Sequence, residues 1–205
     1  MPNLTYEIAS EKSTIDAVKV SNSAFDLSPR YMANYVYDIK IEDSPRWMKR
    51  RLSSMGIRSI NNVVDITNFV LLEIGQPMHA FDYSQINGGQ INIRRAMCDE
   101  KIVTLDQKEF NLSNDNLVIC DAEKPIAIAG VMGGLNSEIK DNTQNIVFES
   151  AKFARDNIRK TSRALGKRTD ASAKYEKGVD EYSTVNAMKR ALHLVEELGC
   201  GKISS

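Results

Sequence analysis

Cysteine, histidine and tryptophan are scarce in this chain of 205 residues, and long hydrophobic runs are missing. The three cysteines, Cys98, Cys120 and Cys200, are odd in number and widely spaced, which fits a reducing compartment and argues against a zinc site. No apolar run approaches the roughly 20 residues that span a bilayer. Residues 1–5 show neither a basic nor an apolar signal region, so no secretory signal is expected. The sequence therefore predicts a folded cytoplasmic domain that does not contact a membrane.

A net charge is also missing, because 27 basic residues balance 27 acidic ones. Locally the balance fails: residues 46–58 carry five basic residues and no acidic one, and residues 155–177 carry eight against three. Such segregation suits a face that binds a polyanion on a protein that is not basic overall. Solvent-exposed helix faces give the same pattern, so charge alone leaves both interpretations open.

Apolar periodicity predicts an α+β fold, with a central, largely antiparallel β region flanked by helices. Alternation indicates a strand over residues 31–41, and capping residues bracket a basic helix between Ser44 and Gly56. Further helices are predicted over residues 63–74, 156–165 and 184–198. Further short strands are predicted over residues 91–94, 102–105, 117–120, 126–128 and 146–148. Residues 1–30 are predicted to be a peripheral extension, and residues 31–205 the domain proper.

Four segments carry polar or small residues that this periodicity does not explain. Residues 61–69 (NNVVDITNF) place more amides and hydroxyls around a helix start than capping requires. Residues 75–82 (GQPMHAFD) place a histidine in a proline-constrained loop, where a structural role is the plainer interpretation. Residues 127–134 (AIAGVMGG) pass from a strand into a glycine-rich turn that can admit a ligand against the backbone, but this turn is not a P-loop. Glu149 follows an apolar run, as the solvent-facing end of a strand often does.

In their order, these segments resemble the B3/B4 domain of the bacterial-type phenylalanyl-tRNA synthetase β subunit. The matching stretches are residues 57–82, 126–139 and 148–180, and the resemblance covers about residues 30–198. Two departures from the family pattern, Phe69 for a tyrosine and Asp170 for a glutamate, are conservative. The family's subunit is several times longer, and this sequence shows no oligonucleotide-binding or anticodon-binding module and no class II synthetase motif. The chain thus resembles an excised domain, with a freestanding relative as the alternative.

The resemblance implies an editing site that hydrolyses tyrosine wrongly esterified to the phenylalanine tRNA. Carried over by motif position, the residues at the ester would be Thr67, Asn68 and His79. Those around the amino acid would be Ala129, Gly130, Gly133, Glu149, Thr169 and Ala171. Three basic residues, Arg163, Lys167 and Arg168, are expected to contact the tRNA. All these segments should then converge on one cleft, with His79 and Glu149 no more than about 15–20 Å apart.

The chemistry of these side chains is consistent with that task. Glu149, with the Gly130 N–H nearby, can pair with the tyrosine hydroxyl; with phenylalanine bound, the carboxylate loses water without gaining a partner, at a cost of about 1–3 kcal/mol. His79 and Asn68 are candidates to hold the attacking water, and His79 can act as a general base because its ordinary pKa lies near neutrality. The other histidine, His193, is predicted to be exposed and without a chemical role.

The sequence contains no Ser-His-Asp order and no HExxH motif, so water-mediated hydrolysis without metal or cofactor is expected. ATP and Mg²⁺ belong to the family's synthetic module, which this chain lacks. The expected partners are the acceptor end of tRNA(Phe) and the α subunit of the full enzyme, with the fragment itself a monomer. The competing interpretation is a non-catalytic module with a degenerate pocket that contacts tRNA or the other subunit.

Overall fold

A computed structural model describes residues 2–9 and 11–205. Its helices are α1 (Thr14–Ala17), α2 (Arg46–Ser54), α3 (Asn62–Ile74), α4 (Arg155–Ala164), α5 (Asp170–Lys177) and α6 (Ser183–Glu197). The first strands are β1 (Lys19–Asn22), β2 (Arg30–Tyr37), β3 (Met78–Asp82), β4 (Gln90–Arg95), β5 (Lys101–Val103) and β6 (Glu109–Asn111). They are followed by β7 (Leu117–Cys120), β8 (Pro125–Ile128), β9 (Met132–Gly133), β10 (Ile146–Lys152) and β11 (Lys202–Ile203). Within the described ranges, no helix is both long and apolar enough to cross a membrane.

The strands form two main sheets and a small hairpin. One sheet has four antiparallel strands in the order β11-β2-β10-β3. The other has five in the order β1-β4-β7-β8-β9, and only its β1–β4 pair is parallel. Strands β5 and β6 pair with each other. This arrangement confirms the predicted α+β class with its largely antiparallel β region.

Strand β10 divides the core into two layers, because successive side chains point to opposite faces of a sheet. Phe148 joins Ile66 of α3 and Leu192 of α6 in the core beneath the helices. Its neighbour Val147 joins Phe81 and the five-stranded sheet in the core on the opposite face. Glu149 shares the face of Val147 and therefore points between the two sheets.

Helix α3 forms where the capping residues predict it. The side chain of Asn61 accepts a hydrogen bond from the N–H of Val64 at 2.9 Å, which satisfies one free N–H of the first turn. Gly75 ends the helix in the left-handed conformation, with φ of 84°. Strand β2, predicted to reach residue 41, ends at Tyr37 because Asp38 has a φ of 52°, which interrupts an extended chain.

Much of the segment predicted as a peripheral extension is integrated into the fold. Strand β1 forms one edge of the five-stranded sheet, and Val18 and Ala24 are buried in the core between the sheets. The N–H of Ala9 donates to the carbonyl of Ile203 at 2.8 Å. Met1 and Ser10 of this segment lie outside the described residues. The boundary at residue 30 stays a prediction.

The same segment changes the environment of His193. Its side chain is only 14% exposed, and its Nδ1 lies 2.5 Å from the carbonyl oxygen of Thr5. The prediction of an exposed histidine was therefore wrong, because a helical wheel cannot show that residues distant in sequence cover the polar side of the helix.

Candidate functional site

A cavity of about 260 Å³ opens between the two sheets, beside α3 and α5. We call it the cavity. It contains every residue that the resemblance assigned to the ester or the amino acid: Thr67, Asn68, His79, Ala129, Gly130, Gly133, Glu149, Thr169 and Ala171. Sequence reasoning missed further lining residues, among them Leu71, Met78, Leu105 and Tyr175. The predicted segments thus meet at one place, while the roles of the individual side chains stay predictions.

His79 and Glu149 are cross-strand neighbours. In the antiparallel pair of β3 and β10, His79 lies directly opposite Glu149. Such partners have Cβ atoms about 4.5–5.5 Å apart, well inside the predicted limit. The prediction that His79 lies in a loop was wrong. Pro77 directly precedes the strand and is not part of it. Residues 78–82 form a run too short for alternation of apolar and polar residues to reveal that they pair with β10.

The His79 ring is confined by its neighbours. Burial lowers the pKa of His79 to about 4, so the imidazole is neutral at pH 7. Within the described ranges no residue hydrogen-bonds to either of its nitrogens, which leaves both for a ligand or water. A Cβ at Gly133 would lie 2.5 Å from Cε1 of the ring, so glycine is needed there. At this pKa the ring is a weaker base than a free imidazole and suits orienting a water molecule or a ribose hydroxyl, while its role as a general base stays a prediction.

Glu149 is a buried carboxyl without a counter-ion. It is 7% exposed, and no basic side chain of the described residues forms an ion pair with it. Its Oε2 accepts a hydrogen bond from the hydroxyl of Tyr31 at 2.7 Å. Burial raises the pKa of Glu149 to about 7, although the hydrogen bond from Tyr31 opposes this rise. A buried carboxyl of this kind can accept a hydrogen bond from a ligand that supplies a donor.

The glycine-rich turn between β8 and β9 forms one wall. Gly130 has a φ of 65°, and a Cβ there would lie 2.9–3.0 Å from side-chain atoms of Ile158, Phe153 and Tyr175. Glycine is therefore required for both conformation and space. Among the described residues nothing accepts a hydrogen bond from the Gly130 N–H, so this donor is available at the cavity wall.

The two threonines of the predicted site already have hydrogen-bond partners. The hydroxyl of Thr67 donates to the carbonyl of Val64 at 2.7 Å and offers a ligand only its lone pairs. Thr169 caps α5 by accepting from the N–H of Ser172, and its hydroxyl donates to the carbonyl of Val131 at 2.8 Å. Thr169 thereby fixes the glycine-rich turn against α5. Asn68 has no side-chain partner among the described residues, which leaves its amide for a ligand.

Helix α5, which the sequence pattern did not predict, is hydrogen-bonded to β10 behind the cavity. The hydroxyl of Tyr175 donates to the carbonyl of Ala151 at 3.0 Å. The amide of Gln76, fully buried, donates to the same oxygen at 2.8 Å. Helix α5 is only eight residues long and mixes charged with small residues. It therefore has no apolar stripe from which it could have been predicted.

A second depression, of about 500 Å³, lies on the other side of α5, and we call it the basic groove. Its charged residues are Arg159, Arg163, Lys167, Arg168, Glu176 and Lys177. Arg163 and Arg168 are exposed and have no ion-pair partner among the described residues. Lys167 differs, because it is 21% exposed and forms an ion pair with Asp106. The hydrogen bond from Lys167 lowers the pKa of Asp106 to about 2.

The other basic segment, residues 46–58, lies elsewhere. None of its residues lines the cavity or the basic groove. Lys49 pairs with Asp43 at 2.8 Å, and Arg51 lies over the ring of Trp47. The two basic segments therefore do not form one surface around the cavity. In the described part of the chain, no cluster of three or more His, Cys, Asp or Glu side chains is arranged to hold a metal ion.

Comparison with solved structures finds the same fold. An N-terminal fragment of the phenylalanyl-tRNA synthetase β subunit from Pyrococcus horikoshii matches with a TM-score of 0.64 and 14% identity. The match covers 98% of this chain and 53% of that one. At this identity the likeness concerns the fold alone.

Comparison with curated sequences finds much more similar relatives. The phenylalanine–tRNA ligase beta subunit of Syntrophus aciditrophicus is 50% identical over 178 residues, which are 87% of this chain and 22% of the relative. That of Clostridium tetani is 46% identical over 203 residues, 99% of this chain and 26% of the relative. The chain thus spans about a quarter of these relatives' length. The model of the B3/4 domain family matches residues 27–200, and the chain belongs to that family.

Proposed function

We propose that this domain hydrolyses the ester between tyrosine and tRNA(Phe), as the editing domain of a phenylalanyl-tRNA synthetase β subunit. The observation that carries the proposal is the pairing of Glu149 with His79 in one small cavity. A buried carboxyl without a counter-ion is costly to keep, and a ligand that donates a hydrogen bond offsets that cost.

Recognition of the amino acid rests on one hydroxyl group. Phenylalanine and tyrosine differ only there, and an apolar pocket cannot reject a polar analogue of similar shape as strongly as biology requires. Glu149 accepts from the tyrosine hydroxyl, and the Gly130 N–H donates to it. Phenylalanine leaves the free oxygen of Glu149 and the Gly130 N–H desolvated and without a partner, which lowers its affinity by roughly ten- to a hundredfold. The small side chains of Ala129 and Ala171 leave space for the ring.

Hydrolysis needs little more than a correctly placed water molecule, because the aminoacyl ester is already activated. Neutral His79 and Asn68 hold this water and the terminal ribose. The water oxygen adds to the carbonyl carbon, the bond to the ribose oxygen breaks, and a proton of the water passes to that oxygen. With a pKa of about 4, His79 orients the water more than it removes its proton.

The basic groove is proposed to hold the phosphates near the tRNA acceptor end. Its neighbouring position across α5 lets the backbone bind outside while the aminoacyl group enters the cavity. Arg163 and Arg168 are the cations we assign to this contact. In the complete subunit, the domain works in the cytoplasm beside the α subunit, and the ATP- and Mg²⁺-dependent synthesis belongs to other domains.

Deacylation of two labelled substrates tests the proposal. The chain is incubated with tyrosyl-tRNA(Phe) and with phenylalanyl-tRNA(Phe), and we expect loss of the tyrosyl ester at least ten times faster. His79→Ala should slow both reactions and leave their ratio nearly unchanged. The matched control is Glu109→Ala, an exposed site on the β5–β6 hairpin, which should change neither rate. A chain that binds tRNA and hydrolyses neither ester would instead be the non-catalytic module.

A further inference from the structure

The carboxylate of Glu149 is held from behind by a residue that does not line the cavity. Tyr31 lies on β2, opposite Ala151 of β10, whereas Glu149 lies opposite Ala33. Tyr31 and Glu149 are thus diagonal neighbours on one face of the sheet, a separation that an aromatic side chain can bridge. The Tyr31 hydroxyl reaches Glu149 and donates a hydrogen bond of 2.7 Å to its Oε2.

The two oxygens of this carboxylate have different surroundings. Oε2 is occupied by Tyr31, which is itself partly buried in the core between the sheets. Oε1 has no hydrogen-bond partner among the described residues, and Glu149 lines the cavity. One oxygen is therefore committed to the protein, and one remains as an acceptor for a ligand.

We propose that Tyr31 is a positioning residue that fixes Glu149 with a single oxygen toward the cavity, thereby setting the preference for a ligand with a hydroxyl donor. This inference rests on the proposed function for the identity of that ligand. The effect of the Tyr31 hydrogen bond on Glu149 can be measured without knowing that ligand.

Burial raises the pKa of Glu149 to about 7, so this carboxyl, among the described cavity residues, is expected to change charge near neutral pH. The groups that face it are Tyr31 from β2, His79 from β3, and Tyr175 and Asp170 from α5. Burial lowers the pKa of His79 to about 4 and raises the pKa of both tyrosines, so these three are neutral between pH 6 and 8. Asp170 is exposed, and the residues of α3 and of the glycine-rich turn that line the cavity have no charged side chain. The preference for tyrosine should therefore rise with pH around the pKa of Glu149, about 7.

Tyr31→Phe tests the proposal because it removes the hydroxyl and keeps the ring. The pKa of Glu149 is followed by ¹³C NMR of glutamate labelled at the side-chain carboxyl, its signal identified by its loss in Glu149→Gln. We expect this pKa to rise in the variant. The pH midpoint of the tyrosyl-to-phenylalanyl deacylation ratio should rise with it, and the ratio at pH 7 should fall by about tenfold, as for one charge-assisted hydrogen bond.

Tyr37→Phe is the matched control. Tyr37 lies on the same strand, and its hydroxyl also donates to a carboxylate, that of Glu11 at 3.3 Å. This variant should change neither the pKa of Glu149 nor the ratio. In a Glu149→Gln background, Tyr31→Phe should have no further effect on the ratio, because Tyr31 acts through the carboxylate.

A second measurement needs no variant of Tyr31. In the unaltered chain, the ¹³Cζ signal of Tyr31 should shift with a midpoint at the pKa of Glu149, and Glu149→Gln should abolish this step. An unshifted Tyr31 signal, or an unchanged pKa of Glu149 in Tyr31→Phe, overturns the positioning role. A moved pKa with an unmoved ratio overturns its part in specificity. If the unaltered chain shows no tyrosine preference at any pH, the proposed function fails instead, while the carboxyl titration still decides the hold of Tyr31 on Glu149.

Discussion

The cavity and the basic groove share one wall, α5, but the polar groups of the cavity are buried and those of the groove are mostly exposed. On one side of this helix, Ala171 and Tyr175 line the cavity, where Glu149 and His79 are desolvated and have no counter-ions. On the other side, Ala173 and Lys177 line the groove, whose arginines are exposed to water. One short helix thus separates a place where charge is costly from a place where charge is plentiful.

This difference indicates a division of labour. Exposed cations bind phosphates with little regard to what the nucleic acid carries, and such binding weakens with salt. Buried polar groups contribute less attraction but discriminate strongly, because each one left unpaired is penalised. We therefore expect changes in the cavity to alter selectivity and rate, and changes in the groove to alter affinity for tRNA.

The largest effect should come from filling the cavity. Ala171→Trp places an indole where the ligand ring is proposed to sit, and we expect deacylation to fall by at least about a hundredfold, a loss of roughly 3 kcal/mol of transition-state stabilisation. Rates of ester loss measure this, with circular dichroism to verify the fold. Ala173→Trp, on the groove side of the same helix, is the control and should retain the tyrosine preference. Equal losses in both variants would erase the distinction between the two sides.

Next is the loss of the buried carboxyl. Glu149→Gln keeps the size of the side chain and removes its charge, so phenylalanine no longer leaves a carboxylate unpaired. We expect the ratio of tyrosyl to phenylalanyl deacylation to fall by about ten- to a hundredfold. Most of the change should appear as faster hydrolysis of the phenylalanyl ester. Full discrimination in a folded variant would remove Glu149 from hydroxyl recognition.

The same substitution should change stability in a pH-dependent way. The pKa of Glu149 is raised from an ordinary 4.5 to about 7, so the folded state retains a proton that the unfolded state loses, and stability falls between these pH values. Above pH 7 the loss is on the order of 3 kcal/mol, at about 1.4 kcal/mol for each pH unit. The pKa of His79 moves from 6.5 to about 4, so its contribution has the opposite sign and is lost as pH falls through that range. Denaturant unfolding should therefore show Glu149→Gln more stable than the unaltered chain at pH 8, with the difference absent at pH 4.

A smaller effect should follow charge reversal in the groove. Arg163→Glu with Arg168→Glu should weaken tRNA binding by about tenfold at low salt and reduce the slope of log affinity against log salt by about two. The deacylation ratio should stay the same. Filter binding over a salt series measures the slope. An unchanged affinity would mean that both arginines are merely solvent-exposed and do not bind the tRNA.

The smallest effect is expected at Lys167. Because its ammonium group is paired with Asp106, we expect it to contribute less to phosphate binding than a free cation would. Lys167→Gln should weaken tRNA binding less than either arginine reversal alone, measured in the same assay. A loss as large as that of the double reversal would show that the ion pair opens to bind the nucleic acid.

The sequence predicted those parts of the fold that local chemistry determines. Asn61 and Gly75 mark the ends of α3, and the apolar runs mark most strands of the five-stranded sheet. Helix α5 and strand β3 were missed because each is short. Strand β3 depends on pairing with β10, and α5, which packs against α4, carries only the capping pair Thr169 and Ser172 as a local signal.

The candidate site shows the same limit. The resemblance identified every predicted cavity residue by type and position, and all of them line the cavity. It did not identify Tyr31 behind Glu149, or Asp106 beside Lys167, because each pairing depends on how distant segments register in space. Nor can a sequence show burial, which lowers the pKa of His79 to about 4 and makes it a weaker base than a free imidazole.

The contact between Gly133 and the ring of His79 constrains how this chain can evolve. A side chain at position 133 would occupy the space of the imidazole, at 2.5 Å from Cε1. Position 133 therefore cannot gain a side chain while position 79 keeps its ring, whereas position 79 can become smaller on its own. Relatives that have lost the histidine should be the ones in which position 133 varies, and this covariation would distinguish domains that retain the cavity-lining ring from those that have lost it.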